Sequence, residues 1–331
     1  MLWTEKYHPK DLGEILGQDH VIRHLSSFAS NKTVPHLIMS GPHGTGKSAA
    51  IQCFAQALYD DDWELNTSVF QTADLFLQGK AFLEQEERYS HIYQKSQSLI
   101  VNFKHIIKWY ASVRPLNAEF KLMVFEDAHT LTREAQQALR RIMEQSSSTC
   151  RFVFSTTNQS AIIPPITSRC LPLFFGPIGQ DIMLPHIQSI REREPSSVHT
   201  CSQDDMELIV QAAQGDMRRA ILLLQVAHET GRCGDLFNVT QSETANVATS
   251  AFSILREGDT KNALRRFESL MIDYGLSGSE VFGEIREIMK RECNYPSLAI
   301  ALADAEHRLH HSNNEYVQLG AFTTGIREKI A

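Results

Sequence analysis

Gly41-Pro-His-Gly-Thr-Gly-Lys-Ser48 is the stretch on which the reading of this chain turns. It satisfies G-x-x-x-x-G-K-[ST] without a mismatch. The apolar run Leu37-Ile-Met-Ser40 before it reads as a strand, and the stretch from Ser48 to Leu58 reads as a helix. Between such elements the glycines let backbone N–H groups turn toward phosphates, and the helix directs its positive end at them. Lys47 has the reach for the β- and γ-phosphates of a nucleoside triphosphate, and the Ser48 hydroxyl can ligate Mg²⁺. Gly41, Pro42, His43, Gly44, Thr45, Gly46, Lys47 and Ser48 are therefore the candidate ATP-binding loop. A chance glycine turn would lack the flanking strand and helix.

Further along, Lys121-Leu-Met-Val-Phe125 reads as a buried strand that ends on Glu126-Asp127. A phosphate-loop ATPase needs one carboxylate to hold its metal and commonly another to position the attacking water. Glu126 is the candidate Mg²⁺ carboxylate beside Ser48, and both Glu126 and Asp127 are candidate catalytic acids. The bland alternative is two solvated acids closing a strand.

Arg151-Phe-Val-Phe-Ser155 reads as another strand. Strands alternating with helices predict a parallel sheet covered on both faces. That character fades after about residue 175, and helical spacing takes over in Asp204 to Ala213, Met217 to Ala227 and Glu280 to Lys290. Pro195-Ser-Ser reads as a loop, and Gly231-Arg-Cys-Gly234 as a boundary. With 331 residues, too many for one ordinary core, the chain divides into an α/β nucleotide domain over 1–174, a small helical domain over 175–234 and a C-terminal helical domain over 235–331.

Composition narrows the function classes. The N-terminus lacks the apolar core of a signal peptide, and no stretch approaches the roughly 20 apolar residues that span a bilayer. This predicts an intracellular, soluble protein with no membrane partner, cytoplasmic if the source is prokaryotic. Six scattered cysteines with no Cys-x-x-Cys pair argue against zinc and against a disulfide framework. A net charge of −7 excludes a surface that is basic all over, yet leaves room for one electropositive face. From Ile100 to Tyr110, apolar residues at Ile100, Phe103, Ile107 and Tyr110 mark one buried helix face. Lys104 and Lys108 share a side of that helix, either as contacts to DNA phosphates or as a solvated face. The charge run Glu84-Gln-Glu-Glu-Arg88 reads as a solvated helix face.

Several separated motifs together resemble the small subunits of replication factor C, of the archaeal type. Trp3-Thr-Glu-Lys-Tyr-His-Pro9 is similar to the family's W-x-E-K-Y-R-P box, with His8 in place of the usual arginine. Leu16-Gly-Gln18 and Pro35-His-Leu-Ile-Met-Ser-Gly-Pro42 follow at the family's spacing. Ala128 to Glu144 resembles A-x-x-L-T-x-x-A-Q-x-A-L-R-R-x-M-E. Ser168-Arg-Cys170 and Gly215-Asp-Met-Arg-Arg-Ala220 match the Ser-Arg-Cys motif and the G-D-x-R-[RK]-A segment. Two departures stand out. The family's usual Asp-Glu pair is exchanged to Glu126-Asp127, and Gln71-Thr-Ala-Asp74 only echoes an Asn-Ala-Ser-Asp-like turn in a segment that runs long to Pro115. A water-positioning carboxylate one methylene shorter falls about 1 Å short, which costs on the order of 100-fold in rate. The exchange therefore predicts slow hydrolysis.

The resemblance implies an AAA+ domain, a helical lid over 175–234 and a helical collar over 235–331 that oligomerises. It implies that Arg169 acts as an arginine finger in the ATP site of a neighbouring subunit, where its fixed charge suits a transferring phosphoryl group. By the same match, Arg218 is a phosphate sensor in its own subunit, Thr157 with Asn158 a polar sensor at a strand end, and Tyr7 with Pro9 part of the adenine pocket. Implied partners are other small subunits, a large subunit, a sliding clamp of the PCNA type and primer–template DNA, with ATP and Mg²⁺ as cofactors. The implied function is an ATP-driven ring that opens the clamp and loads it during DNA replication. Two alternatives remain open: a non-hydrolysing structural subunit that supplies Arg169 in trans, and another AAA+ DNA motor such as a branch-migration motor.

Overall fold

The computed structural model describes residues 1–89, 91–115, 117–194, 202–230, 243–292, 296–312 and 314–326. The Pro195 loop, the Gly231–Gly234 boundary, Cys201, Cys233 and Cys293 lie outside the described residues. Two compact units divide the chain, Met1–Gly231 and Arg232–Ala331.

The first unit is organised on five parallel strands: β1 His36–Ser40, β2 Thr67–Gln71, β3 Lys121–Glu126, β4 Cys150–Thr156 and β5 Cys170–Phe174. Their order across the sheet is β2-β3-β4-β1-β5. Register is set by pairs such as Leu37 with Val153 and Val124 with Val153. Parallel strands need crossover helices, so both faces are covered and the central strands are apolar almost throughout. Alternation along β3 sends Leu122 and Val124 to one core and Met123 and Phe125 to the other. Val21, Leu25 and Phe54 close the first core, from the helices Asp19–Asn31 and Lys47–Tyr59. Phe103, Ile107, Leu139 and Met143 close the second, from Leu99–Ser112 and Arg133–Gln145. There Phe125 stacks on Phe70 and on Phe154, each at 5.3 Å between ring centroids.

β1, β3 and β4 are the strands read from the sequence. β2 and β5 are additions, and both are edges of the sheet. Pro172 within β5 is tolerated because an edge strand needs hydrogen bonds on one side only. The charge run crosses a helix end instead of lining a face: Lys80–Gln85 is helical, and Arg88 beyond it donates to the Val69 carbonyl at 3.0 Å. Cys53, Cys150 and Cys170 are free thiols in the cores.

After β5 the first unit continues as the helices Gln180–Arg193, Gln203–Ala213 and Met217–Thr230. Ser202 and Asp205 form a reciprocal capping box at the start of the second of these. The second unit is helical, with Glu243–Arg256, Thr260–Ile272, Gly278–Glu292, Pro296–His310 and Glu315–Gly325 around a core that holds Phe252, Phe267, Phe282 and Phe322. The architecture is thus a P-loop α/β domain of the AAA+ type followed by helical lid and collar portions. Among the described residues no helix is long and apolar enough to cross a membrane.

Candidate active site

The loop between β1 and the helix Lys47–Tyr59 is shaped by close backbone approach. Gly41 donates its N–H to the Thr156 carbonyl at 3.2 Å, and a Cβ there would overlap the carbonyl oxygen of Phe175. Gly44 has a left-handed φ of +65°, and a Cβ on it would strike the Asp216 carboxylate. The first residue of the helix Met217–Thr230 donates its N–H to the Gly44 carbonyl at 3.1 Å. The loop is therefore fitted between the strand ends and the lid.

Lys47 is buried, and its ammonium donates to the carbonyls of Gly41 at 2.7 Å and Pro42 at 2.5 Å. Burial lowers its pKa; the nearby charge of Asp127 opposes that, Arg218 adds to it, and Asp216 opposes it. A buried cation facing carbonyl oxygens has exchangeable partners, and an incoming phosphate would supply stronger ones.

A cavity of about 290 Å³ opens beside this lysine. Its lining combines two chemistries. Tyr7, His8, Pro9, Ile15, Leu16, Ile178 and Ile221 offer aromatic and aliphatic surface suited to a planar base. His43, Gly44, Thr45, Gly46, Lys47 and Ser48 join Glu126, Asp127, Thr157 and Arg218 to offer polar and charged groups suited to phosphates and a metal. Most residues singled out from the sequence therefore meet in one cavity, although Tyr7 and Arg218 are far apart in the chain. Glu14, Ser155 and His186 line it as well and were missed, because no motif marks them, while Met217 lines it from the variable position of the G-D-x-R-[RK]-A segment. Burial, helped by the charge of Arg193 and opposed by Glu14, lowers the pKa of His186.

The two acids are held differently. Glu126 accepts a hydrogen bond from the Gln71 carboxamide at 2.5 Å, across the β2–β3 pair. Thr72 donates its hydroxyl to the main-chain carbonyls of Glu126 at 2.5 Å and Asp127 at 2.8 Å. Asp127 itself is left-handed, at φ 51° and ψ 41°. Aspartate is among the few non-glycine residues that accept this backbone. The echo Gln71-Thr-Ala-Asp74 thus has a legible role, since its first two residues brace the acidic pair.

Two family models match the chain: one described as DNA polymerase III, delta subunit, over residues 17–179, and one described as Replication factor C C-terminal domain, over residues 243–324. A replication factor C small subunit from Picrophilus torridus is 33% identical over 98% of this chain and 96% of its own length. The chain belongs to the replication factor C small-subunit family. A second small subunit of replication factor C, from Archaeoglobus fulgidus, is 32% identical over 97% of this chain and 95% of its own. Among solved structures, the Aeropyrum pernix ORC1 protein in complex with DNA aligns with a TM-score of 0.55 at 17% identity. It covers 85% of this chain and 84% of that one, a likeness of fold.

The remaining residues singled out for this clamp-loader family member lie elsewhere. Asn158 is outside the cavity lining; its carboxamide oxygen accepts from the Ser160 N–H at 3.1 Å and caps the turn Gln159–Ala161. Arg169 is also outside it and exposed. One guanidinium nitrogen donates to Glu144 at 2.6 Å and the other to the Pro165 carbonyl at 2.7 Å. Lys104 pairs with Glu134 at 3.1 Å, while Lys108 is exposed on the same helix.

Proposed function

We propose that this chain is an ATP-binding motor subunit of a clamp-loading ring, with its own nucleotide on the loop Gly41–Ser48 and Arg169 serving a neighbour. The observation that carries the reading is the buried Lys47, turned onto its own loop carbonyls in a cavity that also holds Asp127 and Arg218.

Backbone N–H groups of the loop would hold the phosphates, and Lys47 would trade its carbonyl partners for phosphate oxygens. Arg218 would place a second fixed charge on the phosphates from the lid. Mg²⁺ fits the donor set, because Ser48, Glu126 and Asp127 supply hard oxygen atoms in one cavity. When bound, Mg²⁺ neutralises phosphate charge. Ser48 and Glu126 would hold it, and Asp127 would orient the attacking water over a short reach. Thr157 would contact the phosphate end, and Tyr7 with Pro9 the adenine. The division of the chain into a nucleotide domain to residue 174, a lid to 234 and an oligomerising collar belongs to the same reading.

ATP-bound rings of this chain, further small subunits and a large subunit would hold a sliding clamp open on primer–template DNA. Hydrolysis would weaken that grip, since a ligand drives a switch only through differential affinity. Of the two lysines, Lys108 is the better candidate for DNA phosphates, because Lys104 already faces Glu134.

A second reading, a structural subunit that hydrolyses little, draws on the short Asp127 and on Glu126 being tied to Gln71. Lys47→Ala and Arg169→Ala in the assembled ring separate the two. The motor reading expects both to depress ATP turnover, with Lys47→Ala alone abolishing nucleotide binding at this site. Turnover that survives Lys47→Ala but is abolished by Arg169→Ala would favour the structural subunit.

A further inference from the structure

Contacts from two lid helices converge on the N-terminal turn Trp3–Lys6 and on Tyr7 after it. Glu194, the C-cap of the helix Gln180–Arg193, accepts from the Lys6 ammonium at 2.6 Å and from the Tyr7 hydroxyl at 2.7 Å, both on Oε1. Its side chain is only 7% exposed. From the helix Met217–Thr230, the Gln225 carboxamide oxygen accepts the Trp3 N–H at 2.9 Å, and the His228 ring lies 5.0 Å from the Trp3 ring. Trp3 is buried at this junction. The turn is thereby gripped from two sides, and the residues that leave it, Tyr7, His8 and Pro9, form a wall of the cavity.

Helix stability does not account for Glu194. A carboxylate at a helix C-terminus meets the negative end of the macrodipole, and a largely covered one also loses hydration. Burial alone would push its pKa up, and the hydrogen bonds from Lys6 and Tyr7 with the charge of Lys6 outweigh that and hold it low. The carboxylate is therefore kept as an anion whose two donors both come from the N-terminal box.

We infer that Glu194 is a positioning residue for base recognition: through the Tyr7 hydroxyl it fixes the Tyr7 ring as one wall of the adenine pocket and ties that wall to the lid. The inference rests on reading the cavity as an ATP site. A tyrosine ring anchored at its outer end need not be ordered by the ligand, so the ordering cost is removed from nucleotide binding. Lys6 supplies the charge that keeps the anchor ionised, and Trp3 holds the turn that carries both.

The test is equilibrium binding of ATP and of GTP to the full chain, by calorimetry, for the parent, Tyr7→Phe, Glu194→Ala and the double variant. Each single change is expected to weaken ATP roughly tenfold, the scale of one hydrogen bond to a charged group. Each should also lower the preference for ATP over GTP, and the double variant should be no worse than the weaker single, because all three delete the same link. Tyr7→Phe removes one oxygen atom and keeps the test readable if Glu194→Ala unfolds the lid. The inference is overturned if the two effects add. It is equally overturned if Glu194→Ala lowers thermal stability while ATP affinity and base preference stay at parent values. Should Lys47→Ala bind ATP as tightly as the parent, the site reading fails, and this inference goes with it.

Discussion

Replacing Asp127 by glutamate isolates the consequence of the exchanged acids. Asp127 occupies left-handed backbone at φ 51°, where glutamate is less at ease than aspartate; the change costs about 1 kcal/mol of folding free energy. In return the carboxylate gains a methylene, about 1 Å of reach, and a misplacement of that size is worth on the order of 100-fold in rate. At 1.36 kcal/mol per tenfold, that is about 2.7 kcal/mol of barrier. Gln71 and Thr72 still brace the pair, since they hold the Glu126 side chain and the two main-chain carbonyls and leave the Asp127 carboxylate alone. The assay is DNA-stimulated ATP turnover by assembled rings, beside urea unfolding of the isolated chain. The expected result is faster turnover, by up to about 100-fold, with unchanged ATP affinity and an unfolding free energy lower by about 1 kcal/mol. Flat or slower turnover in rings that assemble and bind ATP normally would refute both the water-positioning role of Asp127 and the argument from side-chain length.

His36 and Gly41 give two stability predictions. His36 Nδ1 accepts the Phe152 N–H at 3.0 Å between β1 and β4, and burial, with the charge of Arg151, lowers its pKa to about 4 from an ordinary 6.5. The folded state thus resists a proton that the unfolded chain accepts. Stability is whole above pH 6.5 and falls as the pH drops toward 4, by at most about 3 kcal/mol. Urea unfolding between pH 4 and 7 should show that slope in the parent and a shallower one in His36→Gln; identical slopes would dismiss the argument. Gly41→Ala should cost about 2–3 kcal/mol and weaken ATP binding, because the added methyl meets the fixed main-chain carbonyl of Phe175. A denaturation midpoint equal to the parent's would show that the loop has room.

Legibility in the sequence followed locality. The strand β1, its glycine loop and the helix after it are contiguous, so Gly41 to Ser48 could be read from spacing alone. β1, β3 and β4 are buried on both faces and announce themselves as apolar runs. β2 and β5 are edges whose residues are only partly covered, and Thr67, Ser68 and Pro172 hide the strand pattern. The family resemblance led to Tyr7 and Arg218, which line the cavity, and also to Asn158, which lies outside it with its carboxamide committed to Ser160.

By itself, then, the sequence determined the chemistry of the phosphate loop, the alternation that builds a parallel sheet and the membership of a family. These depend on neighbours in the chain and on the periods of helix and strand. The tertiary structure alone decided which side chains answer one another across the fold: Gln71 to Glu126, Glu194 to Tyr7, Glu144 to Arg169 and Glu134 to Lys104. Such pairings depend on a few ångströms between elements remote in sequence, and packing fixes that distance where no spacing rule records it.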